Sequence, residues 1–300
     1  MYESEEDSFE PIRKMFAKEQ LSWLDKCTKG TWKYNPRTGK VDVNGSFICS
    51  GQRLTDFKDI EFGEVTEVFD CSRNQLTSLA GSPMVVFEFR CEQNFLKNLI
   101  GGPKDASEST NHLISGYFAS DNELVSLEGS PSRIQGSMYL RDNLLETLIG
   151  GPEYVGGDFV CSGNMLKSLE GAPRVVGKDF SCPENYLVNL EGIPNEIGED
   201  ARLYGNQITS LKGIDNLKNL NALKSIGSLT ENPLPKKISA LIIDKMISDG
   251  IKYADALEIV WPDLDDNDRV ILYEDLPNIT DQQKDGYKKL KSYLGLKRFL

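Results

Sequence analysis

Basic residues are in short supply in this chain: 34 Lys and Arg stand against 46 Asp and Glu, a formal net charge of -12 over 300 residues. Such a balance repels phosphate backbones and anionic lipid, so neither nucleic acid nor a membrane is an expected partner. There is one histidine, His112, in the stretch PKDASESTNHLISG. A serine or cysteine nucleophile needs a positioned base, and the chain also lacks a P-loop, a Cys-x-x-Cys pair and an H-E-x-x-H motif, so no enzymatic activity is expected. No apolar run reaches the roughly 20 residues that cross a bilayer, and the opening MYESEEDSFE has neither the basic nor the apolar part of a signal peptide. The expectation is a cytoplasmic protein with no metal and no cofactor.

Disulfides are not expected either, for a reason that exposes what the chain does contain. Five of the six cysteines, Cys49, Cys71, Cys91, Cys161 and Cys182, recur at one position of a repeat whose other members are Ala119, Leu140 and Leu203. A position that accepts Cys, Ala or Leu wants a modest apolar side chain facing inward. The repeat is plainest where FVCSGNMLKSLEGAPRVVGKDF is followed by FSCPENYLVNLEGIPNEIGEDA. Its anchor is asparagine: Asn74, Asn94, Asn122, Asn143, Asn164, Asn185 and Asn206, with Gln52 as a degenerate earlier member. By subtraction the last four intervals are each 21 residues, a period that signals a solenoid.

Each position of the repeat has a physical reading. Five residues before the asparagine stands a large apolar residue (Phe69, Phe89, Tyr117, Met138, Phe159, Phe180), and the Cys/Leu position follows two later. That alternation predicts one short strand per turn. Leucines two and five residues after the asparagine, such as Leu166 and Leu169, fill the same core beyond a bend. A buried asparagine is costly unless hydrogen-bonded, so the amides are expected to form a structural ladder along the stack. Glycine seven residues after the asparagine, followed by proline in most turns, predicts tight irregular coil on the outer side, with strands on one face only.

These spacings resemble the leucine-rich repeat, and FDCSRNQLTSLAGSP together with YVGGDFVCSGNMLKSLEGAPRVVGKDF is similar to a short-repeat subfamily found in tailed bacteriophages and some bacteria. The resemblance covers roughly residues 41 to 216. It implies a parallel sheet on a concave face and a role as a protein-binding module. It further implies a phage-encoded adaptor or inhibitor acting on a host bacterial protein, or on a phage protein, in the host cytoplasm. Departures from the pattern are the 28-residue gap between Asn94 and Asn122 and Asp215 where the final repeat should carry proline.

Flanking the repeats, residues 1–10 read as an acidic tail and 11–40 as an N-terminal helical cap, with Ile12, Met15, Phe16, Trp23, Leu24 and Cys27 at near-helical spacing. Residues 35–39 read as a turn leading into the first, degenerate strand. The solenoid is assigned to 41–229. Residues 230–300, with helical periodicity in KKISALIIDKMISDG, KYADALEIVW and QQKDGYKKLKSYLGL, form a helical domain or cap.

Outward strand positions carry the candidate binding residues. Phe118, Tyr139 and Val160 fall on consecutive turns. With Phe95, Leu144, Met165 and Tyr186 they could form an apolar stripe rimmed by Arg90, Arg141, Asp121 and Asp142, with Tyr204 further on. Aromatic and arginine side chains within a polar rim suit a protein-binding hot spot. The competing reading turns Phe95, Leu144 and Tyr186 into the core, or folds the 104–112 insertion or the C-terminal helices over the stripe. Two further features are weighed and set lower. Asp263, Asp265, Asn267 and Glu274 match a calcium-loop template except that Asp268 replaces its glycine. Asp158, Asp179 and Asp200 would stack as an acidic column. Alternative functions are a structural or assembly component of a virion, and an enzyme using Asp263, Asp265, Asp266 or Glu274.

Overall fold

The computed structural model describes residues 16–104, 114–225 and 228–293, so the acidic tail, Ile12, Met15 and His112 lie outside the described residues. The chain forms two units, Met1–Asn143 with Gly150–Pro152, and Leu144–Ile149 with Glu153–Leu300. Both contain turns of a parallel β-solenoid, one short strand following another at the same register.

The first unit opens with helix α1, Lys18–Cys27, which buries Trp23, Leu24 and Cys27. Residues 28–35, expected within a helical cap, are instead strand β1, Thr28–Asn35, paired antiparallel with β2, Lys40–Ile48. Threonine and aromatic residues in alternation favour extended chain. The turn at 36–39, closed by Gly39 at φ 73°, folds it back. From β2 onward pairing is parallel through β3 (Phe62–Asp70), β4 (Val85–Arg90), β5 (Gly116–Phe118) and a further strand at Ser137–Tyr139. The inward rings stack in register, Phe47 on Phe69 at 5.6 Å and Phe69 on Phe89 at 5.8 Å between centroids. Tyr117 continues the column at 5.2 Å from Phe89.

The asparagines do the work of closing each turn. All seven are buried, at 4 to 8% exposure. Asn94 Oδ1 accepts the Leu76 N–H at 3.0 Å, while its Nδ2 donates to the carbonyls of Cys71 and Cys91, each at 3.1 Å. Asn122 repeats the pattern, accepting from Leu96 and donating to Cys91 and Ala119. One amide therefore satisfies backbone groups of its own turn and the turn before it.

Two positions bend the chain. The residue before each asparagine is left-handed, with φ of 55° at Arg73, Gln93 and Asp121, 53° at Asp142, 65° at Gly163, 55° at Glu184 and 64° at Gly205. An L side chain costs about 1 to 2 kcal/mol there, which the amide bonds on either side offset. The glycine seven residues after the asparagine is also left-handed, and at Gly129 a Cβ would lie 2.4 Å from the backbone of Leu99 and Ile100. No other residue fits so close to the preceding turn.

The stretch between the proline and the main strand, expected as coil, carries a second line of two-residue strands. In the first unit this is β6, Arg133–Ile134, which precedes β7, Ser137–Tyr139. In the second unit β8 (Tyr154–Val155), β10 (Val175–Val176) and β12 (Glu196–Ile197) pair in parallel, as do β9 (Phe159–Val160), β11 (Phe180–Ser181) and β13 (Ala201–Arg202). Ile134, Val155, Val176 and Ile197 are buried there and give the core another apolar line.

The ladder also runs past 229. Asn232 Oδ1 accepts the Ile208 N–H at 3.0 Å and its Nδ2 donates to Leu203 O at 2.9 Å, the pattern of the earlier asparagines. Leu229 and Leu234 are buried around it. Helices follow: α2 (Lys236–Asp249), α3 (Tyr253–Val260), α4 (Asp266–Leu272) and α5 (Asp281–Tyr293). Asp215, the residue that replaces proline, accepts the Tyr253 N–H at 2.9 Å. It thereby caps α3 from the last repeat, satisfying an N-terminal donor that the helix itself leaves open.

Candidate functional site

Strand alternation sends Asp70, Arg90, Phe118 and Tyr139 outward from β3, β4, β5 and β7, and the parallel register places them side by side. Phe118 and Tyr139 stack face to face, 5.2 Å between centroids and 6° from parallel. The Arg90 guanidinium lies 5.5 Å from the Phe118 ring centre, and that of Arg141 lies 5.8 Å from the Tyr139 ring centre. Each contact is worth about 0.5 to 1 kcal/mol at an exposed site, enough to hold the rings in one arrangement without closing them off. Both rings are half-buried; both arginines are exposed.

These four side chains line one concavity of about 540 Å³, together with Ser50, Asp70, Ser72, Arg73, Glu92, Gln93, Ser120 and Asp121. Several liners are already engaged. Arg90 Nε pairs with Glu88 at 2.5 Å, and Asp70 Oδ1 accepts from the Ser72 N–H and hydroxyl at 2.9 and 2.7 Å. Glu92 is set apart: its Oε2 is buried with no hydrogen-bond partner among the described residues. Burial lifts its carboxyl above the ordinary carboxylate range, against the pull of its own backbone N–H, with Asp70 adding to the rise. The wall thus combines aromatic surface, hydroxyls and charges of both signs.

The other candidate residues do not join this site. Phe95 is 48% exposed but is not among the liners. Val160 and Tyr204 belong to the second unit. Val160 is a correction: expected on the open stripe, it is only 4% exposed, its short side chain staying below the surface of the sheet face. Leu144, Met165 and Tyr186 are 46, 41 and 48% exposed, so they do not turn into the core, and they too lie in the second unit. Arg73, Gln93, Ser50, Ser72 and Ser120 were not singled out from sequence. Arg73 and Gln93 stand at the left-handed position before an asparagine, which carries no fixed residue type and so no signal, whereas Ser50, Ser72 and Ser120 recur two residues before the anchor, a regularity that sequence does show.

The weaker candidates take structural roles. Asp265 is the N-cap of α4, accepting from the Asn267 and Asp268 N–H groups at 2.8 and 3.0 Å, and Asn267 sits within the helix. A calcium loop needs those residues in a turn, so the template does not apply. Glu274 accepts the Tyr273 hydroxyl at 2.6 Å. In the acidic column, Asp158 accepts the Asp179 N–H and Asp179 accepts the Asp200 N–H. Arg202 bridges Asp179 at 2.6 Å and Asp200 at 3.3 Å, supplying the positive charge that an acidic stack requires. The cysteines of the repeat are buried, and burial drives the thiols of Cys49, Cys71, Cys91 and Cys161 well above the usual range. They pack as small apolar side chains.

Among the described residues no helix is long and apolar enough to cross a membrane, and no cluster of His, Cys, Asp and Glu has the grouping of a metal site. No family model matches the chain, and no curated protein or solved structure matches it either.

Proposed function

We propose that the chain is a binding module of the leucine-rich-repeat type that holds another protein against the strand face of its first unit. The observation that carries this reading is the Phe118 and Tyr139 stack, pinned by Arg90 and Arg141 on the wall of the 540 Å³ concavity. Ordered aromatic and arginine side chains lose little freedom on binding, and such groups dominate protein interfaces. Helix α1 serves as the cap of the first turn. Trp23 Nε1 donates to Gln52 at 2.9 Å, and Gln52 Nε2 reaches Cys27 Sγ at 3.2 Å, so the degenerate member of the ladder is tied to the helix rather than to a further turn. The resemblance to the short-repeat phage subfamily supports a phage-encoded adaptor or inhibitor whose partner is a host bacterial protein, acting in the host cytoplasm.

The test is affinity capture of the intact chain from host bacteria, beside Phe118→Ser, Tyr139→Ser and Leu241→Asp. Serine stands at the matching position of a later turn, Ser181, so the first two changes suit the fold. Leu241 is an exposed residue of α2. Loss of one specific partner in both serine variants, with retention in Leu241→Asp, supports the reading. Retention in the serine variants rejects it.

A further inference from the structure

We infer that the free edge of β1 pairs with the same edge of a second copy of this chain, the two strands running antiparallel about a two-fold axis at Trp32. The inference goes beyond the binding role proposed above and does not rest on it. Among the described residues β1 has a neighbour on one side only, β2. The direction of its remaining backbone groups follows from β2. There the N–H of Val41 goes to Glu61 O and that of Gly45 to Thr66 Oγ1, each at 2.8 Å on the β3 side. Residues opposite such positions in an antiparallel pair also turn away, so Tyr34 and Gly30 direct N–H and C=O off the sheet. Trp32, between them in the alternation, does the same. No described residue meets these groups. Helix α1 leaves the edge clear because it packs toward the inner strands, with Trp23 5.1 Å from Phe47 and Gln20 Nε2 donating to Lys58 O at 2.6 Å. Its side-chain bond to β1, in which Asp25 accepts the Trp32 indole N–H at 2.8 Å, uses no edge group.

The side chains of β1 select a second copy and fix its register. Edge groups must face edge groups, so Gly30, Trp32 and Tyr34 of one protomer can oppose only those same positions of its partner. An axis at Thr31 would set Lys29 against Lys33, and an axis at Lys33 would set that lysine against itself. Like charges directly opposite are destabilising. An axis at Trp32 instead opposes Lys29 to Asn35 and Lys33 to Thr31, and it uses the strand from Lys29 to Asn35. Axes further out shorten the overlap. The Trp32 register also puts Tyr34 opposite Gly30 in both directions, an aromatic ring over the position that has no side chain, and Trp32 opposite its own copy. The contact is isologous, so it closes on itself and consumes the open edge, while the lysines disfavour the neighbouring registers.

The experiment is sedimentation equilibrium of the full chain over a concentration series, beside Thr31→Glu, Thr31→Lys and Phe118→Ser. Thr31 is exposed, so both of its changes suit the folded monomer, and circular dichroism checks that they do. A reversible dimer is expected. Position 31 of each protomer faces Lys33 of the other, so Thr31→Glu makes opposite-charge pairs and is expected to tighten the dimer by about fivefold. Thr31→Lys makes like-charge pairs and is expected to weaken it by about fivefold. Net charge alone predicts the reverse order, since a chain at -12 repels its copy more with an added acid. Phe118→Ser, on the strand face, is expected to leave the dimer unchanged. A full chain that stays monomeric up to about 1 mM overturns the inference. So does a dimer indifferent to both Thr31 changes, a dimer that follows net charge, or one lost with Phe118→Ser, which would put the contact on the strand face instead.

Discussion

Replacing Asn94 by alanine probes the bond pattern that every turn depends on. The amide makes one contact that nothing else can replace: the Leu76 N–H, at 3.0 Å from Oδ1, would be left alone in the core. A buried orphan of that kind costs about 1 to 3 kcal/mol. The carbonyls suffer less, and the most distant of the three, Glu92 O at 3.3 Å from Nδ2, keeps the Arg73 N–H at 2.8 Å. Cys71 O keeps the Asn74 amide at 3.0 Å, and Cys91 O keeps that of Asn122 at 3.0 Å, because each carbonyl is shared by two turns. Their loss is about 0.5 kcal/mol each, and the small cavity adds a little more, giving a total of about 2 to 4 kcal/mol. Against a total stability on the order of 5 to 15 kcal/mol this is a large change, readable as a lower urea midpoint at unchanged slope. Asn98→Ala is the control. Among the described residues Asn98 bonds only the Ile100 N–H within its own loop, and its loss is expected to cost about 1 kcal/mol or less. Equal, small effects of the two changes would mean that the ladder amides are solvated in practice, and the account of how the turns close would be wrong.

Two other outcomes follow from buried groups. The Tyr117 hydroxyl is fully buried without a hydrogen-bond partner among the described residues, where other turns carry phenylalanine, so Tyr117→Phe is expected to leave stability unchanged or raise it by about 1 kcal/mol; a loss of similar size by thermal or urea unfolding would show an unrecognised partner. Asp275 accepts the Tyr253 hydroxyl at 2.6 Å, and burial raises its carboxyl above the ordinary value. The folded state therefore favours the proton, and this contribution is full below the unfolded value near about 3.9 and is lost as pH rises through the folded pKa. Asp275→Asn should accordingly gain stability relative to the parent between about pH 4 and pH 7, and a constant difference across that range would contradict the burial argument.

What could be read from sequence was what every turn shares. The asparagine, the inward Phe and Cys positions and the glycine recur because each has one physical solution, and a single wrong residue would leave an orphaned donor or a clash. Features that recur without a fixed residue type escaped. The left-handed position accepts Arg73, Gln93, Asp121 and Glu184 as well as Gly163, so its geometry leaves no compositional mark. The buried line of Ile134, Val155, Val176 and Ile197 was hidden among glycines and charges that looked like loop. Asn232 was missed because its interval from Asn206 breaks the period, although Leu234 follows it at the proper distance. Strand β1 was missed because a helix before it suggested that the whole cap was helical.

The proposed binding face was harder to read for the same reason that the fold was easy. Amides inside each turn satisfy the backbone, and rings and leucines inside each turn fill the core, so nothing about stability dictates what points outward. Asp70, Arg90, Phe118, Tyr139, Ser181 and Arg202 all occupy one position of the repeat, and every one of them is compatible with the same strand. That freedom is where selection for a partner can act. Phe118 and Tyr139 on adjacent strands have no role in the core, yet they stack on each other and are held by Arg90 and Arg141 at some cost in side-chain entropy. Order outside the core, made from residues the fold does not need, is the feature that separates this wall from the serine-lined and acid-lined stretches of the other turns.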